Sequence, residues 1–390
     1  MNTLPKITLI CPTRNRPSFV EKSLEFFAKL NHTGIELIVV DNSSQGLHET
    51  QNICVRQTDQ RVRYVRTEHE LSMIDNWEFA LSHATGEYVG FLTDKMFILP
   101  DAFQKILDYL STAKPQILSW HADAYTPDIT QDYFGAGIYS KGLPDSEDSF
   151  KPFNPLEELQ NRVRGTVPRT QMLANDYSRG KICFGLYSND LISEIKTNFG
   201  RLFWPISPDY TSMVFALGTA TTAIECSFAA IVHVNTDLSN GNLISLHDAS
   251  AMNFLKTVEN YNEIIERLPI PKVYVSINNL VLHDYIYTSN QMNLALDLSP
   301  DNWIQQIYND IYSPDRQWSS IQICDEQKTA LEAFLQTTSI QIDRKLNKNF
   351  LKSLLAISVS KVVPLFLKTY YQRLHHQGNA KRISSIGEII

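Results

Sequence analysis

The strongest constraint in this sequence is an alternation. Residues Lys6 to Cys11 (KITLIC) form a β-rich apolar run, the polar segment PTRNRP follows, and Phe19, Leu24, Phe27 and Leu30 then recur at helical spacing. Ile35 to Val40 (IELIVV) repeats the pattern and runs out into Asp41-Asn42-Ser43-Ser44, residue types that favour a turn or a helix cap over a continuing strand. A helical stretch around His48 to Thr58 and a short strand at Arg63 to Arg66 come next. Ser72 then suits the N-cap of a helix that carries Trp77, Leu81 and Ala84 and stops by Gly86. Tyr88 to Leu92 (YVGFL) is another buried-type strand, closing on Thr93-Asp94-Lys95, and Pro100-Asp101 opens a helix through Leu110. Strands alternating with helices predict an α/β fold with a mostly parallel central sheet. Ligands of such sheets bind beyond the carboxyl ends of the strands, where PTRNR, DNSS and TDK all fall.

At 390 residues the chain is long enough for about two or three domains. With 43% apolar and 20% charged residues, it is not a disordered or low-complexity chain. A formal charge of −7 argues against a general nucleic-acid binder, because phosphate neutralisation needs a basic face. Five scattered cysteines with no Cys-x-x-Cys pair suggest neither a disulfide framework nor a zinc knuckle, and a reducing cytosol is expected. The opening Met-Asn-Thr-Leu-Pro-Lys lacks the basic then apolar order of an export leader.

Beyond residue 121 the pattern weakens. Residues 122 to 180 read as an insertion with little periodicity apart from a helix near Pro155 to Val163. Regularity returns at Lys181 to Tyr187 and Leu191 to Asn198, then in a helix of small residues at Thr211 to Ala220 and a strand at Ala229 to Val234. After Ala249 the chain reads as almost wholly helical. The expected organisation is residues 1–240 as a main domain, divided into 1–110 and 111–240, a helical region at 241–340, and a tail at 341–390. That tail holds nine basic residues against Asp343 and Glu388, interleaved with Phe350, Leu354, Phe366 and Tyr370. Such a composition suits an amphipathic helix lying on an anionic membrane surface, or a helix packed on the main domain with a solvated basic face. No apolar run is long enough to span a bilayer.

In combination, order and spacing, three segments resemble the family 2 glycosyltransferases of the A-type, nucleotide-sugar-binding fold: LICPTRNRPSFVEKSL, LIVVDNSS and LSMIDNWEFALSHATGEYVGFLTDKMFILPDAF. FGLYSNDLISEI and RLFWPISPDYTSMVFAL resemble it more loosely, so the likeness covers about residues 5 to 235. It implies an inverting transfer of a sugar from a nucleoside diphosphate to an acceptor hydroxyl. It also implies that Pro12, Thr13, Arg14 and Asp41 hold base and ribose, with Asn76 and Trp77 lining the same pocket. A carboxylate accepting from ribose hydroxyls and an arginine fork on a diphosphate are chemically apt for that task. Core packing is the competing reading for Trp77.

The chain departs from the family pattern where relatives read Gly-Asp-Asp-Asp and supply an Asp-x-Asp pair to a divalent ion. Here the residues are Thr93-Asp94-Lys95-Met96, and a thioether is a poor ligand for Mg2+ or Mn2+. Three readings stay open: Lys95 supplies the positive charge in place of the ion, a metal binds weakly through Asp94 with help from His233, or activity has been lost. Asp209, in ISPDY, matches the place where relatives put a catalytic base, and its competing role is a helix N-cap. His233 ends a strand and is a candidate diphosphate or metal contact, with a structural histidine as the bland alternative. Asp237, Ser239, Asn240 and Gly241 are candidates for a lid.

The expected protein is a cytoplasmic glycosyltransferase, peripheral on the inner face of the plasma membrane. Its expected partners are a nucleotide-sugar donor and a glycan or glycolipid acceptor, in bacterial surface polysaccharide or glycolipid synthesis. The alternative is a catalytically silent binding protein on the same fold. A nucleotidyltransferase is a third reading, but the Gly-rich entry loop it would need is missing.

Overall fold

The computed structural model describes residues 5–128, 132–142, 148–166, 178–236, 248–312, 325–343 and 380–389. These fall into two compact units. The first comprises residues 1–159, 172–235 and 381–390, and the second comprises 160–171 and 236–380.

The first unit opens with β1 (Ile7–Thr13), α1 (Pro17–Ala28), β2 (Ile35–Asp41), α2 (Glu49–Val55), β3 (Val62–Arg66), α3 (Met73–Leu81) and β4 (Tyr88–Phe91). Then come β5 (Met96–Ile98), α4 (Pro100–Leu110), β6 (Ile117–Pro127), β7 (Gly137–Ser140), β8 (Phe150–Phe153) and α5 (Pro155–Val163), whose residues from 160 on are counted in the second unit. The first unit is completed by β9 (Gly185–Ser188), α6 (Asn189–Phe199), α7 (Pro208–Thr219), β10 (Ala223–Val234) and β11 (Ala380–Ile383). The sheet runs β11-β7-β6-β9-β4-β1-β2-β3, with β10 pairing β5, β6 and β8. Strands β1 to β4 are parallel neighbours, β10 runs parallel to β6, and β9 is antiparallel to both β4 and β6. The α/β class and the mostly parallel sheet are therefore as the sequence predicts.

Local chemistry explains the first half. β1 and β2 are buried almost throughout and carry β-branched residues, as strands covered on both faces do. Pro17 and Pro100 each sit at a helix start, where the missing N–H has no intrahelical partner to lose. Ser72 caps α3 as expected, its hydroxyl accepting from the Asp75 N–H at 3.1 Å. Gly86 has a different duty: a Cβ there would lie 2.6 Å from the Thr8 backbone nitrogen and 2.9 Å from the Lys6 carbonyl oxygen, so a side chain would push the chain away from β1.

Residues 122 to 180 differ from the expected loop. Their described part holds the second half of an eleven-residue β6, then β7 and β8, with α5 where the periodicity put it. The partners of β6 are β7, β9 and β10, the last about a hundred positions downstream, so this regularity comes from long-range pairing. The end of the basic tail also differs from a helix. Residues 380–383 form the edge strand β11, Ile383 and Ile386 are buried, and Arg382 pairs closely with Asp128. The rest of the amphipathic tail, from residue 344 to 379, lies outside the described residues, as does the lid expected at 237–241.

The second unit is helical as expected, with α8 (Asp248–Leu255), α9 (Tyr261–Arg267), α10 (Ile277–Gln291), α11 (Pro300–Tyr312) and α12 (Asp325–Thr337). Buried Asn279 ties its turns together, donating to the carbonyls of Ile270 and Val273 and accepting from the Ile270 N–H. Trp303 donates from Nε1 to the Val163 carbonyl at 2.6 Å. Among the described residues no helix is long and apolar enough to cross a membrane.

Candidate functional site

The register of the parallel strands puts Thr13, Asp41 and Arg66 side by side at the carboxyl ends of β1, β2 and β3. Asp41 is fully buried and fully engaged. Its Oδ2 accepts from the Tyr64 hydroxyl at 2.9 Å and from Arg66 Nη1 at 3.2 Å, while Oδ1 accepts from the Ser43 N–H at 2.9 Å. Burial, together with the Asp41 carboxylate, pushes the Tyr64 phenol up to about 12 and keeps it a donor. Arg66 also donates to the carbonyls of Ser43, Ser44 and Leu47, so the DNSS turn is clasped onto β3.

The PTRNR segment joins the same edge. The Asn42 N–H donates to the Thr13 carbonyl at 2.9 Å. Asn15 donates its backbone N–H to Ser43 Oγ at 2.8 Å and accepts from the Ser44 N–H at 3.0 Å. These bonds hold Asn15 at φ +56°, a left-handed conformation that asparagine tolerates better than most residues. The turn sends the two arginines apart. Arg14 is largely exposed and pairs with Glu70, whereas Arg16 turns inward and donates from Nη1 to Asp94 Oδ1 at 3.1 Å.

The third segment closes the cluster. Asp94 is buried, and its other oxygen accepts from Thr13 Oγ1 at 3.1 Å. Lys95 is buried beside it; burial lowers its ammonium to about 8, Asp94 opposes that shift, and Arg16 adds to it. β5 pairs antiparallel with β10, setting His233 opposite Met96. Burial and then the Lys95 charge bring the His233 imidazole down to about 4, so it is neutral at neutral pH. Two buried side-chain atoms near this edge, Thr93 Oγ1 and Asn76 Oδ1, lack a hydrogen-bond partner among the described residues. Unsatisfied buried polar atoms are costly and are commonly kept for a ligand or water.

Thr13, Asp41, Asp94, Lys95 and His233 thus converge, with Pro12 on the same strand end facing Val40 across β1 and β2. Trp77 takes the core place: its ring stacks on Phe91 with centroids 4.7 Å apart and meets Phe203 edge-on. Asp209 has a separate set of contacts. It lies in the first turn of α7, with Ser207 in the N-cap position instead, and its Oδ2 is 3.5 Å from Lys181 Nζ. Lys181 is only 1% exposed and its ammonium also sits 3.8 Å from the Tyr210 ring centroid, whereas Asp209 keeps a partly open side chain. The segment leading to Asp209 is anchored where Phe203 packs on Phe91, two residues before Thr93.

Arg14 and Arg16 together make a nucleotide pocket plausible from the sequence, whereas Arg66, Tyr64 and Lys181 do not stand out there as site residues. A lone lysine within the apolar stretch Lys181 to Tyr187 was the available signal for one of them, and an arginine closing β3 for another.

The residues at the third segment do not fit a divalent cation. Asp94 is the one carboxylate in Thr93-Asp94-Lys95-Met96 and already pairs with the Arg16 guanidinium, the next side chain is a cation, and the one after is a thioether. Among the described residues no group of three or more His, Cys, Asp or Glu side chains is placed to hold a metal.

Residues 8–164 match the family model for Glycosyl transferase family 2. Over that segment the family 2 glycosyltransferase likeness read from the sequence is borne out. A GalNAc(5)-diNAcBac-PP-undecaprenol beta-1,3-glucosyltransferase of Campylobacter jejuni is 24% identical over 153 residues, 38% of this chain and 48% of that protein. The chain thus spans about half the length of this curated relative. Among solved structures, S. aureus TarS 1-349 in complex with UDP-GlcNAc is 13% identical, with a TM-score of 0.45 over 88% of this chain and 97% of that one. A mannosyltransferase from Pyrobaculum calidifontis in complex with GDP-Man and Mn2+ is 14% identical, with a TM-score of 0.41 over 86% of this chain and 87% of that one. The match to residues 8–164 takes in all three convergent segments and stops before Asp209.

Proposed function

We propose that this chain is an inverting glycosyltransferase that moves a sugar from a nucleoside-diphosphate sugar to an acceptor hydroxyl. The observation that carries this reading is the convergence of Thr13, Asp41 and Asp94-Lys95 at the carboxyl ends of β1, β2 and β4, inside the segment that matches family 2. In this reading the Asp41 edge receives the nucleoside and Asp94-Lys95 faces the diphosphate. Asp209 is the base. Its carboxylate takes the proton of the acceptor hydroxyl as that oxygen bonds to the anomeric carbon; the bond from that carbon to the phosphate oxygen breaks, and the nucleoside diphosphate leaves from the opposite face. Buried Lys181 lies 3.5 Å from Asp209, which supports a fixed orientation of the base.

The Campylobacter relative is named for a lipid-linked acceptor, and on that likeness we assign this chain a glycan or glycolipid acceptor at a membrane surface. The basic tail is the segment proposed to meet anionic lipid there. The test is release of nucleoside diphosphate from a panel of UDP-, GDP- and dTDP-sugars with lipid-linked acceptors, run beside Asp209→Asn. Turnover with one donor that vanishes in the variant supports the reading. Donor binding without turnover points to the silent binding protein, and absence of any nucleotide binding refutes the proposal.

A further inference from the structure

Resting on that reading of the donor site, we propose that Arg16 and Lys95 together grip the donor's diphosphate without a divalent cation, and that Asp94 serves to aim Arg16. The geometry begins with Asp94. Asp94 accepts from Thr13 Oγ1 on one oxygen and from Arg16 Nη1 on the other, each at 3.1 Å, so a divalent ion at this carboxylate would meet the Arg16 guanidinium as a like charge. The charge balance points the same way. Among the described residues Arg16 and Lys95 stand against the single carboxylate of the third segment, a local excess of positive charge that suits an anion better than a cation.

Lys95 supplies the second part of the argument. It is 8% exposed, lies beside a second cation, and among the described residues shares the Asp94 carboxylate with that cation. A buried ammonium in that position is expensive to maintain without a further anion, and groups of this kind concentrate where a charged ligand binds. A diphosphate is such an anion. The planar five-donor guanidinium of Arg16 suits bridging a carboxylate and a phosphate at once, and Lys95 meets the leaving oxygens as a point charge. Asp94 is then a positioning residue. Arg14, the other arginine of the same turn, is directed to Glu70.

Isothermal titration of the full chain with UDP, GDP and dTDP, each in EDTA and in Mg2+ or Mn2+, tests the proposal. One of these nucleotides should bind with an affinity that changes less than about threefold on chelation. Arg16→Ala and Lys95→Met should each weaken it about tenfold or more while leaving the corresponding nucleoside unaffected, as expected for lost charged hydrogen bonds. Arg16→Lys should recover part of the loss, which separates lost charge from lost fold. Asp94→Asn should weaken binding only a few-fold, with no rescue by Mn2+. Binding that requires a divalent ion, or that ignores both cation substitutions, overturns this inference and leaves the glycosyltransferase reading standing. No nucleotide binding by the unaltered protein under either condition overturns both.

Discussion

Replacing Lys95 with methionine should strengthen the fold while weakening the site. Burial lowers the Lys95 ammonium from the ordinary 10.5 to about 8. A displacement of that size corresponds to about 3 kcal/mol by which the folded state disfavours the charged form. Lys95 is 8% exposed, so little of this is removed by solvent. Between pH 8 and pH 10.5 the unfolded chain carries the Lys95 proton and the folded chain does not. Stability of the unaltered protein therefore rises with pH through that window, and the full cost is present below it. Methionine has similar length and no charge to bury. In thermal melts at pH 7, Lys95→Met should unfold about 5–10 °C higher, given the usual few degrees per kcal/mol for a domain of this size. The advantage should shrink steadily as the pH is raised through the same window. A variant that melts at or below the unaltered protein at pH 7, or a difference that ignores pH, would refute the reasoning about burial.

Asp209→Asn should lower kcat by about 100-fold or more while the donor KM moves little, because a base acts only as the proton is transferred; a KM effect without a kcat effect would point to binding instead. Arg66→Met should cost about 2–4 kcal/mol in urea unfolding, since it strips a partner from the fully buried Asp41 carboxylate, and a neutral result would mean that Tyr64 and Ser43 satisfy Asp41 alone. Ile386→Ala should destabilise the first unit by about 2–4 kcal/mol, the ordinary cost of emptying a buried isoleucine site, whereas an unchanged melt would show that the β11 segment does not contribute to that core.

The βαβ pattern of the first 110 residues was legible because its signals are local. Apolar runs of strand length, proline at helix starts and the Ser72 cap are set by neighbours a few positions away, and the structure has them in those places. The placing of polar segments at strand ends was legible for the same reason. The regular structure within residues 122 to 180 was not, because the strands there are stabilised by partners up to about a hundred positions distant and one face of β7 or β8 is too short to show a period. Lys181 likewise reads as a stray polar residue until the fold brings Asp209 to it.

From its residues alone this chain already specified a parallel α/β core with three polar edges that share one end of the sheet. Which side chain does what at that end was left to tertiary contacts. Arg14 and Arg16 are chemically identical in the sequence, and one left-handed residue between them, pinned by a turn from the next strand, sends the first to the surface and the second to Asp94. The same contact sets a cation against the carboxylate that the sequence offered to a metal. Side-chain direction at a strand end depends on backbone torsions stabilised by another strand, and no pattern within a single segment encodes it.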